Sequence, residues 1–118
     1  MVEIRRGDVV LCDLNPVRGT EQAGIRPVIV LQIDRANLAS PHTIIAPCST
    51  RIRKVLLPSH AFLPAGSGGL MDDSVVLCEQ LSVVDKARIV KVLGQLESSE
   101  IKSIEAALSI ILGLQSTL

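Results

Sequence analysis

The chain has 118 residues, of which 47% are hydrophobic, and it carries 12 basic and 12 acidic side chains. This length and hydrophobic content predict one domain with one core over residues 1–118, and the balanced charge excludes the strongly basic class of nonspecific nucleic-acid binders. The charge is nevertheless uneven, since residues 1–60 hold eight Lys and Arg against five Asp and Glu, and the remainder holds four against seven.

Targeting, cofactor and base-stacking signals are missing from the sequence. No apolar run is long enough for a secretory signal or a membrane span, so we expect a cytoplasmic protein with no membrane contact. Three cysteines, Cys12, Cys48 and Cys78, lie far apart, which indicates reduced, mostly buried thiols and neither a disulfide framework nor a zinc site. We expect no metal and no cofactor. With one Phe and no Trp or Tyr, the chain cannot stack successive bases on aromatic side chains.

Short apolar runs and their breakers predict a series of strands followed by one helix. The predicted strands are Gly7 to Leu14, Val28 to Leu31, Thr43 to Ala46, Lys54 to Leu57, Ser74 to Leu81 and Ile89 to Leu93. Residues 17–25, 35–41 and 66–69 are predicted as connections, because they are polar or contain Gly and Pro.

The C-terminal segment has helical rather than strand periodicity. Ser98 is a predicted N-cap, apolar side chains recur at Ile101, Ile104, Leu108 and Ile111, and Gly113 marks the end. The stripe is expected to face the core. Closely spaced strands followed by one such helix predict a β-rich α+β fold, a small, partly open barrel with a C-terminal amphipathic helix.

Several segments resemble the MazF/PemK family of toxins. They are residues 6–10 (RGDVV), 13–16 (DLNP), 19–31 (GTEQAGIRPVIVL), 47–50 (PCST), 73–81 (DSVVLCEQL) and 85–86 (DK). The resemblance covers essentially the whole chain. It implies an SH3-like barrel that forms a homodimer, cleaves single-stranded messenger RNA at specific sequences and is inhibited by a cognate antitoxin protein.

RNA cleavage without a metal has three chemical requirements. A base must deprotonate the 2′-hydroxyl, a cation must stabilise the negative charge that builds up at phosphorus, and an acid must protonate the leaving 5′-oxygen. Arg26 is the predicted cation, since Pro27 fixes the backbone after it and its guanidinium can donate paired hydrogen bonds to a phosphate. Glu21 is the nearest carboxylate and the candidate base, although a loop Glu is usually only exposed.

Two adjacent hydroxyl side chains follow shortly after the third predicted strand. The family commonly has a Thr that contacts the scissile phosphate there, whereas this chain has Ser49 followed by Thr50. Successive strand residues point to opposite sides, so only one of the two can face the site unless the strand is bulged. The resemblance favours Ser49 as the third catalytic residue, with Thr50 as an RNA contact.

Four further polar residues are predicted to contact RNA. They are Arg18, Thr20, Gln22 and Gln80, whose hydrogen-bonding groups suit phosphate oxygens and base edges. For Gln80, packing at a strand end is the alternative. His42 and His60 suggest an acid and base pair of a ribonuclease, but their surroundings in the sequence favour structural or surface roles.

Two other functions remain open at this point. The first is a non-enzymatic toxin of the CcdB kind, which shares the barrel and the dimer but poisons DNA gyrase by binding it; the segment from Gly19 to Pro27 speaks against this reading. The second is an inactive relative that retains antitoxin or RNA binding, which the Ser at position 49 makes conceivable.

Overall fold

Seven strands and two helices make up the part of the chain that the structure, a computed structural model, describes: residues 3–15, 24–52 and 56–114. In chain order they are β1 (Asp8–Asp13), β2 (Ile25–Val30), α1 (Asp34–Ala39), β3 (His42–Ser49), β4 (His60–Leu63), β5 (Ser74–Leu77), β6 (Ser82–Asp85), β7 (Ile89–Gln95) and α2 (Ser98–Ile111). Short 3-10 turns lie at Ser67–Gly69, Cys78–Gln80 and Lys86–Arg88.

The strands form one antiparallel sheet in which β3 is the central element. The neighbour order is β4-β5-β3-β2-β1-β7, and β6 pairs with β3 beside this path. The first half of β3 pairs with β6, and its last two residues, Cys48 and Ser49, pair with β5. Among the described residues β4 and β7 do not pair, so the barrel is partly open, as the sequence predicts.

The sheet buries apolar side chains on both of its faces. Strand alternation divides them, so that Val9 belongs to the larger cluster and its neighbour Val10 to the smaller one. Helix α2 covers the larger cluster, where Ile104 is completely buried. Of the predicted stripe, Ile101 and Leu108 also pack against this core, whereas Ile111 at the end of the helix is 44% exposed.

The start of α2 differs by one residue from the prediction. The N-cap is Glu97 rather than Ser98. Glu100 accepts a hydrogen bond from the backbone N–H of Glu97 at 2.9 Å, and the Glu97 side chain accepts from the backbone of Glu100. This reciprocal pair satisfies two N–H groups at the helix start, which a serine at the next position does not do. Neither helix in the described part of the chain is long and apolar enough to cross a membrane.

The middle of the chain departs most from the prediction. The prediction of a strand over Lys54 to Leu57 is wrong for Leu56 and Leu57, which are not in a strand. The N–H of His60 bonds to the carbonyl of Leu57 at 2.9 Å and closes a turn there. Lys54 and Val55 lie outside the described residues. The strand predicted over Ser74 to Leu81 is wrong for its second half, because β5 ends at Leu77 and the turn at Cys78–Gln80 follows; β6 begins only at Ser82.

Candidate active site

The segment that carries half of the predicted site residues is flanked by two strands. Arg18, Thr20, Glu21 and Gln22 fall within residues 16–23, outside the described part of the chain. β1 leads into this segment and β2 leaves it, and the two strands are antiparallel partners.

Arg26 is the second residue of β2 and is exposed. Its cross-strand partner on β1 is Cys12, which is completely buried in the smaller core cluster together with Val28 and Val30 of β2. Every second residue of a strand lies on the same face of the sheet, so Arg26 shares its face with Val28 and Val30. Those two residues are buried, whereas Arg26 is exposed and lies just beyond the edge of the core. The sequence-predicted cation therefore lies where a buried face becomes accessible.

Ser49 and Thr50 differ sharply in exposure. Ser49, the last residue of β3, is 6% exposed, whereas Thr50 is exposed. The Oγ of Ser49 accepts a hydrogen bond from the backbone N–H of Arg51 at 3.1 Å. A serine hydroxyl that accepts one bond keeps its own hydrogen as a donor. The structure thus separates the two hydroxyls, with Ser49 held and Thr50 turned to solvent.

Arg26 and Ser49 lie at the same end of the β2–β3 pair. The register joins Val28 to Pro47, and pairing between the two strands stops there. Arg26 precedes Val28 by two residues and Ser49 follows Pro47 by two, so both continue the same face on the two sides of the point where the strands separate. We call these two residues, Arg26 and Ser49, which flank the point where β2 and β3 separate, the strand fork.

Gln80 belongs to the turn between β5 and β6. It is half-buried and ends the turn at Cys78–Gln80. Since β5 pairs with the end of β3 and β6 with its beginning, this turn lies beside the middle of β3. The structure therefore places Gln80 along the strand that ends in Ser49.

His60 contacts the same turn through Glu79. The two histidines considered as an acid and base pair lie on different strands, His42 at the start of β3 and His60 at the start of β4. The Nε2 of His60 is 2.9 Å from the Oε2 of Glu79, and the Ser59 hydroxyl donates to the Oε1 of Glu79 at 3.4 Å. The His60 side chain is 6% exposed, whereas His42 is exposed on β3. This contact fastens the turn to the start of β4, which supports the structural role expected of His60.

The three cysteines are buried and free. Burial raises the pKa of Cys48 and of Cys78 to about 12, and it also raises the pKa of Cys12, against the effect of the Arg88 guanidinium. A thiol with so high a pKa carries almost no thiolate at neutral pH and is a poor nucleophile. The prediction of reduced, buried thiols is confirmed, and Cys48 has no evident chemical role beside Ser49. No group of three His, Cys, Asp or Glu in the described ranges is placed to hold a metal ion.

One further residue beside this region was not singled out from the sequence. Arg88, in the turn before β7, donates hydrogen bonds to the backbone carbonyls of Asp13 and Asn15. These partners are more than 70 residues away in the sequence, so only the pairing of β1 with β7 brings them together. No local pattern indicates such a contact.

Comparison with known proteins identifies the family. The sequence matches the PemK-like, MazF-like toxins of type II toxin-antitoxin systems over residues 5–112. Endoribonuclease MazF of Staphylococcus saprophyticus subsp. saprophyticus is 42% identical over 113 residues, which cover 96% of this chain and 94% of that protein.

Solved structures of this family share the fold. The crystal structure of MazF from Deinococcus radiodurans has a TM-score of 0.80 at 25% identity and covers 93% of this chain and 96% of its own. A mycobacterial endoribonuclease in complex with its cognate antitoxin also has a TM-score of 0.80, at 20% identity, over 97% of this chain and 99% of its own. The sequence match and the shared fold agree, and the chain belongs to the PemK-like, MazF-like toxins of type II toxin-antitoxin systems.

Proposed function

We propose that this protein is a cytoplasmic endoribonuclease that cleaves single-stranded messenger RNA at specific sequences, without a metal ion, through its single domain over residues 1–118. The observation that carries the proposal is the strand fork, which sets a guanidinium and a hydroxyl on one face of the sheet. The 42% identity to a MazF endoribonuclease supports RNA cleavage over a gyrase-binding function.

The reaction is an intramolecular transfer at phosphorus. The 2′-oxygen forms a bond to phosphorus while the bond from phosphorus to the 5′-oxygen breaks, and the proton of the 2′-hydroxyl passes to a base. The 5′-oxygen takes up a proton, which leaves a 5′-hydroxyl on one fragment and a 2′,3′-cyclic phosphate on the other. The phosphoryl oxygens carry extra negative charge in the transition state, so donors placed around them lower the barrier.

Arg26 is suited to stabilise this charge. Its side chain is exposed at the strand fork. Its backbone pairs with Cys12 of β1, and Pro27 follows it in the sequence. A guanidinium presented from such a fixed backbone donates two parallel hydrogen bonds to phosphate oxygens at little entropic cost. We assign Arg26 this role and propose that it also protonates the leaving 5′-oxygen.

Ser49 is suited to donate a single hydrogen bond to the same phosphate. Because its Oγ already accepts from the N–H of Arg51, its orientation is restricted and its hydrogen remains for an acceptor oxygen. Thr50 follows the end of β3 and is exposed, where it can contact a neighbouring part of the RNA. Ser49 is therefore the catalytic hydroxyl of this proposal.

The other polar residues complete the RNA contact. Glu21 is the proposed base, and Arg18, Thr20 and Gln22, in the same segment, are proposed contacts to phosphates and base edges. Gln80 is proposed to contact RNA from the turn beside β3, where it is half-buried.

Two protein partners are part of the proposal, a second copy of this chain and an inhibitory antitoxin. The mycobacterial relative with the same fold was solved with its cognate antitoxin bound. Several large apolar side chains are exposed on the single chain, among them Val83 at 63%, Val90 at 51% and Leu38 at 83%. Exposed apolar surface of this kind is typical of protein contacts.

Incubation of the purified protein with a long RNA in excess chelator tests the proposal. The expected result is cleavage at one short sequence, with 5′-hydroxyl ends and cyclic or 3′-phosphate ends. RNA that stays intact at protein concentrations equal to the RNA would contradict it. Binding of intact RNA or of the antitoxin without cleavage would indicate an inactive relative.

A further inference from the structure

The residues on the two sides of the segment 16–23 are joined by one backbone hydrogen bond and one hydrogen bond to a side chain. The N–H of Leu14 bonds to the carbonyl of Gly24 at 2.9 Å, and the N–H of Gly24 bonds back to the Asn15 side chain at 3.1 Å. The Asp13 side chain accepts from the N–H of Asn15 at 3.0 Å. These four residues, Asp13, Leu14, Asn15 and Gly24, form what we call the loop neck.

Arg88 fastens one side of the loop neck to the body of the sheet. Cys12 of β1 pairs with Ile89 of β7, so the residue before Ile89 lies beside the residue after Cys12, which is Asp13. From this position the Nη1 of Arg88 donates to the carbonyl of Asp13 at 3.3 Å and to the carbonyl of Asn15. The Arg88 side chain is half-buried, so its contact with Asp13 is partly shielded from water, whereas its contact with Asn15 is exposed.

We propose that Arg88 is a positioning residue for cleavage, because it holds the loop neck and thereby fixes the start of β2, which carries Arg26. The proposal rests on the proposed endoribonuclease function. Arg88 acts here on the protein backbone, through Asn15 and Gly24, and not on the RNA.

The Arg88 guanidinium restricts the movement of the loop neck. It donates to two carbonyls in place of the water they would otherwise bind, and hydrogen bonds from a charged donor are stronger than those between neutral groups. Asn15 is held at its carbonyl by Arg88, and its side chain holds the N–H of Gly24. Arg88 therefore holds Asn15 directly and Gly24 only through the Asn15 side chain, and Gly24 lies two residues before Arg26.

Loss of this positioning is expected to lower the cleavage rate, because reaction rates depend steeply on the relative positions of the catalytic and reacting groups. A misplacement of about 1 Å lowers a rate by about 100-fold. Residues 16–23 carry the proposed base, and Arg26 follows directly after Gly24 and Ile25. A loosened neck is therefore expected to lower turnover while the core, which Arg88 does not enter, stays intact.

The test compares Arg88→Gln with Lys91→Gln. Lys91 is exposed on β7, three residues away, so its replacement removes the same charge without touching the loop neck. We expect Arg88→Gln to lower kcat by about 10- to 100-fold, Lys91→Gln to leave kcat within about twofold, and Arg88→Lys to retain more activity than Arg88→Gln, because it keeps a donor there.

A second measurement reads the loop neck directly. Amide exchange of Leu14 and Gly24, followed by NMR in the free protein, is expected to accelerate at least about tenfold in Arg88→Gln and to stay unchanged in Lys91→Gln. Unchanged exchange together with a raised KM and a weaker salt dependence would overturn the proposal, because it would mean that Arg88 binds an RNA phosphate. Unchanged exchange with unchanged kcat would overturn it as well.

Failure of this proposal can be told apart from failure of the proposed function. If the wild-type protein does not cleave RNA, the function is wrong, and amide exchange still decides whether Arg88 holds the loop neck. If the wild type cleaves and Arg88→Gln is fully active, the function stands and the positioning role is refuted.

Discussion

Gly94 of β7 lies where this strand passes closest to the turn at Ser67–Gly69. A Cβ at position 94 would be 2.7 Å from both the carbonyl carbon and the oxygen of Gly68, and 3.2 Å from the nitrogen of Gly69. All three neighbours are backbone atoms, so no side-chain rotation relieves the overlap. Replacement of Gly94 by Ala must therefore push the turn and the strand apart.

The cost of Gly94→Ala follows from this geometry. Inserting a methylene group into a well-packed site typically costs about 1–3 kcal/mol, and contacts with fixed backbone place this change near the upper end. Unfolding entropy is about 2.1 cal/mol/K per residue, so for 118 residues a loss of about 3 kcal/mol lowers the melting temperature by about 12 °C.

Thermal unfolding at one fixed protein concentration measures this effect, with Gly66→Ala as the matched control. Gly66 has a φ of 97° and open space around the added Cβ, so its replacement incurs only the cost of the left-handed backbone. That cost is about 1–2 kcal/mol, or about 4–8 °C. A Gly94→Ala protein that melts at or above the temperature of Gly66→Ala would refute the steric argument.

Three further predictions concern the site and its surroundings. Arg26→Ala is expected to lower cleavage at least about 100-fold while the melting temperature changes by no more than about 2 °C, because the side chain is exposed; a folded variant with near-normal cleavage would show that the site is elsewhere. Ser49→Ala is expected to reduce kcat more than Thr50→Ala does, and the opposite order in steady-state kinetics would place the site on the other face. Burial raises the pKa of the Asp8 carboxyl above its ordinary value of 3.8. The folded state therefore binds this proton more tightly than the unfolded state does, and the resulting stabilisation is present at low pH and is lost as the pH rises through the raised pKa. Urea unfolding of Asp8→Asn should therefore show a smaller loss of stability between about pH 4 and pH 7 than the wild type, and equal losses would refute this.

Elements with a long, regular apolar pattern could be predicted from the sequence. β1 and α2 were predicted close to their observed bounds, because alternation and helical periodicity each report a buried face. α1, β4 and β6 are not predicted from the sequence. α1 has six residues and its buried side chain is polar, Asn37, which bonds to Gln32 and Thr43. β4 has four residues, and its alternation is too short to distinguish from a loop.

The site could be predicted only in part, for a related reason. The family resemblance singles out Arg26 and Ser49, which lie just before one predicted strand and just after another, and strand alternation then separates Ser49 from Thr50. The contacts that hold the neighbouring turns are made between distant residues, such as His60 with Glu79 and Arg88 with Asn15. Such pairs depend on how the strands are ordered in the sheet, which no local pattern in the sequence specifies.

A substrate that lacks one hydroxyl group tests the central claim most directly. The claim is that the strand fork promotes attack by the 2′-hydroxyl on the adjacent phosphate. An RNA oligonucleotide that contains the mapped cleavage sequence is compared with the same oligonucleotide carrying a single 2′-deoxy nucleotide before the cut, both in excess chelator. We predict that the all-RNA substrate is cut and that the substituted one binds but stays intact. Cleavage of both at similar rates would contradict the account, because the attacking group would then be water.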